Sequence, residues 1–197
     1  TTDDIICIDD ADPMGLLRLF NEPEGHRYLV ETAARECDRV YLFVLSEDKS
    51  YFSTADRMEM VKLGTVDLPN VTVLPTGPYL ISNATFPTYF LKDREAAVQV
   101  HCKLDIAVFE KYFVPRFGIT HRFVGTEPLS PMTAQYNEAL KAHLHKTTLV
   151  EIPRLETEAV PVSASAVRAA LDAGEEIRHL VPETTYRYIT QGGKPNG

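Results

Sequence analysis

Apolar positions recur along this chain in two alternating patterns. Leu29 with Ala33, and Val30 with Ala34 and Cys37, stand at helical spacing over Arg27–Cys37, and the wholly apolar run Val40–Leu45 follows at once. That order predicts a helix feeding a strand buried on both faces. Ser53 and Asp56 form an S-x-x-D start ahead of Ala55, Met58 and Val61. A second helix is therefore predicted over Thr54–Leu63, ended by Gly64, with a short strand at Val71–Leu74. Beyond a loop rich in Pro, Gly, Ser and Asn (Pro75–Pro87), Ile106, Phe109 and Phe113 mark another helix, which Pro115 and Gly118 should stop. His121–Val124 reads as the next strand. Tyr136, Leu140 and Leu144 recur four apart and give a helix, Thr148–Ile152 gives a strand, and Ser165–Leu171 and Pro182–Ile189 are helical, the latter with Pro at an allowed first-turn position.

Strands alternating with helices across short polar loops predict an α/β fold, a doubly wound parallel sheet with helices on both faces. Ligands of such sheets sit beyond the carboxyl ends of the strands, which directs the search for chemistry to the loops after Phe20, Leu45, Val124 and Ile152. The 197 residues, 44% of them apolar and 24% charged, suit one domain with one core. A net charge of −8 and the lack of a basic stretch argue against nucleic acid as the main partner. The longest apolar run, Val40–Leu45, falls far short of the ~20 residues needed to span a bilayer, so no membrane association is expected. Residues 1–12 carry Asp3, Asp4, Asp9, Asp10 and Asp12 and no basic run, unlike a signal peptide, and a cytoplasmic location is expected. Cys7, Cys37 and Cys102 lack CxxC spacing and read as buried thiols. Neither His143 with His145 nor His101 with Cys102 has a complete zinc spacing, and the acidic run Asp9–Asp12 lacks the turn Gly and distal Glu of an EF-hand.

Two segments look built for phosphate. Gly25 and His26 stand at the mouth of the Arg27 helix, just after the apolar segment Leu16–Phe20. Free amides at a helix start attract phosphate, a Gly lets backbone approach it, and a first-turn His donates hydrogen bonds to developing phosphoryl charge. Near the other end, Ser163 and Ser165 alternate before a helix, with Arg168 three residues after Ser165 on the face of its first turn. Two hydroxyls, helix-start amides and a forked guanidinium make a compact anion cradle. Each has a plainer reading, an exposed helix-start His in one case and an ordinary Ser cap with a solvated Arg in the other. A third feature, Gly125-Thr126-Glu127 at a strand end, places backbone groups and a carboxylate toward a base or ribose, though a simple turn also explains it. Lys49 and Arg57, after the second strand, suit neutralisation of triphosphate charge or, more plainly, a solvated surface.

Gly25–Glu31, Leu42–Lys49, Leu68–Val73, Ile81–Leu91, Ile119–Pro128 and Val162–Arg168, taken in order, resemble the catalytic domain of the citrate lyase ligase family. The resemblance covers residues 21–190; it sets residues 1–20 apart as an N-terminal segment without a clean match, and 191–197 reads as a flexible tail. It implies a Rossmann-like, nucleotidylyltransferase-like fold and a ligase that consumes ATP with Mg²⁺ and acetate. In that reaction acetyl-adenylate forms, and a thiol on the acyl carrier protein subunit of citrate lyase then takes the acetyl group, which activates the lyase. By the same carry-over, Gly25 and His26 hold the phosphates, with His26 stabilising the transition state. Ser163, Ser165 and Arg168 grip the β- and γ-phosphates, and Mg²⁺ bridges them. The chain departs from the family's first motif at Pro23, where Thr or His is usual. Two other readings stay open at this point: an adenylyltransferase of the phosphopantetheine type, and a non-catalytic module that binds nucleotide or docks a carrier.

Overall fold

The computed structural model describes residues 3–8, 26–46, 52–82, 84–85, 95–126, 131–153, 169–178 and 183–191. Five strands, β1 (Asp3–Ile8), β2 (Arg39–Val44), β3 (Val71–Pro75), β4 (Ile119–Gly125) and β5 (Thr148–Ile152), pair in parallel in the order β3-β2-β1-β4-β5. The helices are α1 (His26–Glu36), α2 (Thr54–Gly64), α3 (Glu95–Val108), α4 (Val114–Phe117), α5 (Pro131–His143) and α6 (Glu183–Thr190), and residues 169–172 are also helical. No helix among the described residues is long and apolar enough to cross a membrane.

Alternation along the strands separates two cores. Val40, Leu42, Val44 and Phe123 pack with Leu29, Val30 and Ala33 of α1 and Val61 of α2. The opposite face carries two clusters: Leu45 and Val124 pack with Val98, Cys102 and Ile106 of α3 and with Ala139 and Leu140 of α5, while Tyr41 and Phe43 meet Phe109 and Leu80. Because β1 has β2 and β3 on one side and β4 and β5 on the other, the chain winds outward from it in both directions. The α/β, doubly wound arrangement predicted from periodicity, which the resemblance implies is Rossmann-like, is the one present. Cys37 and Cys102 are buried thiols.

Local features differ from the prediction, among them the strand predicted over His121–Val124, which runs Ile119–Gly125. Periodicity assigns residues 3–8 no element, yet they form the middle strand; the apolar segment ending at Phe20 lies outside the described residues. The helix through Ile106 and Phe109 begins at Glu95 and is not stopped by Pro115. It widens into a π-helical turn over Phe109–Phe113, Pro115 falls in the first turn of α4, where a missing N–H costs little, and the end comes at Gly118, with φ of 70°. Helix α2 runs one residue further than predicted, through Gly64 to a cap at Thr65.

The predicted start of α2 holds. Ser53 Oγ accepts from the Asp56 amide at 3.1 Å and donates to Asp56 Oδ2 at 2.6 Å. The same carboxylate fastens α6: the Tyr188 hydroxyl donates to Asp56 Oδ1 at 2.7 Å. Burial first, then this hydrogen bond and the charges of Asp56 and Glu59, push the Tyr188 phenol up to about 12. A phenol held protonated in the fold lends stability that is complete below its ordinary value of 10.0 and is lost as pH rises through about 12. Urea midpoints of the native chain should therefore fall between pH 10 and 12. Tyr188→Phe should lower stability by about 1 kcal/mol at neutral pH and lack that alkaline step; identical pH profiles for the two chains would contradict this docking contact.

Candidate nucleotide site at the carboxyl edge of the sheet

The pairing registers bring Ile8 level with Val44, Val44 level with Pro75, and Gly125 level with Ile152, so the strands end along one edge. Strand order reverses at β1, and the helices that follow β1 and β4 pack on opposite faces of the sheet, which places the crevice between the carboxyl ends of those two strands. A helix that returns between parallel strands starts at the carboxyl end of the strand before it. The first amides of α1, which begins at His26, are therefore at this edge.

On the β4 side, Gly125 closes the strand and the Thr126 amide donates to the Ile152 carbonyl at 3.0 Å. Asn137 of α5, buried, donates from Nδ2 to the Gly125 carbonyl at 2.9 Å. A Cβ built on Gly125 meets no atom of the described residues within 4 Å.

On the β2 and β3 side a chain of hydrogen bonds ties the strand-end loops together. The Thr76 amide donates to the Val44 carbonyl at 2.9 Å, the Ser46 amide to Thr76 Oγ1 at 3.1 Å, and the Gly77 amide to Ser46 Oγ at 2.8 Å. Thr54 Oγ1 donates to the Ser46 carbonyl at 3.0 Å, and Arg57 Nη2 donates to Thr54 Oγ1 at 3.0 Å. With 1% of its surface exposed, Arg57 is not the solvated cation of the plainer reading; its charge lies inside the fold, tied to the loop that follows β2.

The structure thus brings His26, Arg57, Gly125 and Thr126 to one edge of the sheet. Of His26 it describes the backbone at the helix start. Gly25, Lys49, Glu127, Ser163, Ser165 and Arg168 lie outside the described residues. Among the described residues no three His, Cys, Asp or Glu side chains gather as a metal site.

One polar cluster beside the edge is absent from the sequence reading. Asp105 of α3 is fully buried. Its Oδ1 accepts from the Ile81 amide at 2.6 Å and from Thr85 Oγ1 at 3.1 Å, and its Oδ2 accepts from the Tyr136 hydroxyl at 2.6 Å. Arg122 of β4, also fully buried, donates from Nη2 to the Tyr136 oxygen at 3.0 Å and stacks its guanidinium 4.6 Å from the Phe109 ring centre. Burial pushes the Asp105 carboxyl above its ordinary value, opposed by the hydroxyl of Tyr136, the Ile81 amide, the charge of Arg122 and the hydroxyl of Thr85. A signal was present: Asp105 stands three residues after Cys102 and four before Phe109, on the stripe that Ile106 and Phe109 mark as buried.

A family model described as the citrate lyase ligase C-terminal domain matches residues 20–189. Citrate (pro-3S)-lyase ligase of Escherichia coli (strain K12) is 42% identical over 174 residues, which cover 84% of this chain and 49% of that protein. The protein of the same name from Klebsiella pneumoniae is 42% identical, covering 85% and 51%, and that from Haemophilus influenzae is 39% identical, covering 86% and 53%. The chain thus spans about half the length of these curated relatives.

Proposed function

The chain belongs to the citrate lyase ligase C-terminal domain family, and from that premise we propose that it activates acetate with ATP and passes the acetyl group to the thiol of the acyl carrier subunit of citrate lyase. The observation that carries this reading is the position of α1, the helix between the central strand and β2, which opens at His26 on the carboxyl edge of a sheet whose order reverses at that strand. That is where an α/β sheet receives a polyphosphate.

Each residue of the edge then has a task. An acetate oxygen attacks the α-phosphorus, an O–P bond forms, and the bond to the bridging oxygen of the β-phosphate breaks, releasing pyrophosphate. The transfer asks the protein for alignment and charge stabilisation rather than covalent chemistry. The amides at Gly25 and His26 hold phosphate oxygens, and the His26 imidazole donates to the oxygens on which charge grows. Ser163, Ser165 and Arg168 hold the β- and γ-phosphates. Lys49 adds positive charge from the loop after β2, and the guanidinium of Arg57 acts from within the fold, where a low dielectric lengthens its reach. Gly125, Thr126 and Glu127 receive the ribose and base beyond β4. Mg²⁺ carried on the nucleotide lowers the charge on the departing pyrophosphate. In the second step the carrier's thiolate attacks the acetyl carbonyl carbon, a C–S bond forms, and AMP leaves with the oxygen that acetate brought.

Exchange of labelled pyrophosphate into ATP tests the first step. The expected result is exchange that requires acetate. Exchange that requires phosphopantetheine instead would make the chain an adenylyltransferase of that type. ATP binding in a calorimeter with no exchange under any acid would leave a nucleotide-binding module, the outcome to which Pro23 in the first motif would then point.

A further inference from the structure

The loop after β3 crosses the sheet's carboxyl edge in a conformation that its own residues do not favour. Ile81 has φ of 44°, in the left-handed region that a β-branched residue avoids at a cost of order 1–3 kcal/mol. Its side chain is buried in the cluster that holds Leu45, just past the end of β2, and Val124, next to last in β4. Those strands flank β1, so Ile81 lies near their carboxyl ends, on the face of the sheet opposite α1. Within the loop, Ser82 Oγ donates to the Pro78 carbonyl at 2.9 Å and accepts from the amides of Ala84 and Thr85, each at 3.2 Å. At its start Thr76 and Gly77 bond to Val44 and Ser46, and further along Asp105 anchors it from α3, through the Ile81 amide and the Thr85 hydroxyl.

Asp105 is itself held by Tyr136, which reaches Arg122 through the same oxygen. The next residue of α5, Asn137, fixes the Gly125 carbonyl at the end of β4. Consecutive residues of one helix thus fasten two parts of the carboxyl edge: Tyr136 the loop carrying Ile81, and Asn137 the end of β4. We infer that Tyr136, with Asp105 and Arg122, is a positioning unit for the transfer reaction. It sets the strained backbone at Ile81 where the acid substrate and the α-phosphate must be aligned, and touches neither. This inference rests on the acetate-activating reading above.

Tyr136→Phe keeps the ring beside Arg122, whose guanidinium lies 5.4 Å from its centre, and removes only the bridging hydroxyl. Two measurements at 25 °C, on chain shown by its urea curve to be folded, separate positioning from mere support. The kcat of acetate-dependent pyrophosphate exchange should fall by about 10–100-fold, with the KM for ATP within about 3-fold, because the phosphate-holding groups at α1 are untouched. Amide hydrogen exchange at Ile81, Ala84 and Thr85 should quicken at least about 10-fold, as expected for local opening, while β2 and β4 keep their protection. Native kcat in the variant, or unchanged protection at Ile81, would overturn the inference. If the native chain shows no acetate-dependent exchange, the acetate reading falls and the positioning role falls with it, whereas native kcat in the variant of an active chain overturns the positioning role alone.

Discussion

Asp105→Ala is expected to lower the stability of the chain by about 3–5 kcal/mol, because buried donors left without an acceptor cost about 1–3 kcal/mol each. The substitution takes the acceptor away from the Ile81 amide, the Thr85 hydroxyl and the Tyr136 hydroxyl together. It also leaves the fully buried guanidinium of Arg122 without the negative charge on the far side of Tyr136. Urea unfolding at neutral pH measures the effect. Asp105→Asn, which keeps an oxygen to accept from Ile81, should lose less than alanine does. A loss of less than about 1 kcal/mol for alanine, typical of an exposed group, would mean that the carboxylate does not hold the cluster together.

His26→Ala should slow adenylate formation about 100-fold or more, as removal of one donor to transition-state charge does elsewhere, while ATP binding weakens only several-fold. On the proposed mechanism, ground-state phosphate would still be held by the amides at the start of α1 and by Ser163, Ser165 and Arg168, because the backbone amide of residue 26 survives the substitution. What is lost is an interaction that strengthens as the bond to pyrophosphate breaks. Rapid-quench measurement of adenylate in a single turnover, beside calorimetric ATP affinity, separates the two quantities. Equal losses in both would make His26 a binding group, and an unchanged single-turnover rate would remove it from the reaction.

The alternation of strands and helices was legible because apolar runs and four-residue stripes leave little choice of element. Thr148–Ile152 has the same bounds in both readings, and Ser53 with Asp56 marks the start of α2 by a cap that the coordinates contain. The central strand was not legible. Ile5 to Ile8 is a run of four apolar residues with Asp3 and Asp4 before it and Asp9 and Asp10 after it, and a strand that short has no period to read. Pro115 looked like a stop because proline removes a donor. The π turn before it puts that missing donor in a first turn, which needs none. At the site, Gly125, Thr126 and Arg57 reach the expected edge, but the burial of Arg57 depends on the loops after β2 and β3 closing around it, which no local pattern reports. Asp105 and Arg122 were hidden for a similar reason: a single charge in a stripe reads as solvated until its partner, far along the chain, is known.

Carboxyl-labelled acetate gives the most direct test of an acid attacking the α-phosphate at this edge. With ¹⁸O in both acetate oxygens, ATP, and an acyl carrier thiol as acceptor, mass spectrometry of the nucleotide product should find AMP carrying one labelled oxygen. The pyrophosphate should carry none. Unlabelled AMP, or ADP with the label in inorganic phosphate, would place the attack elsewhere and contradict the account.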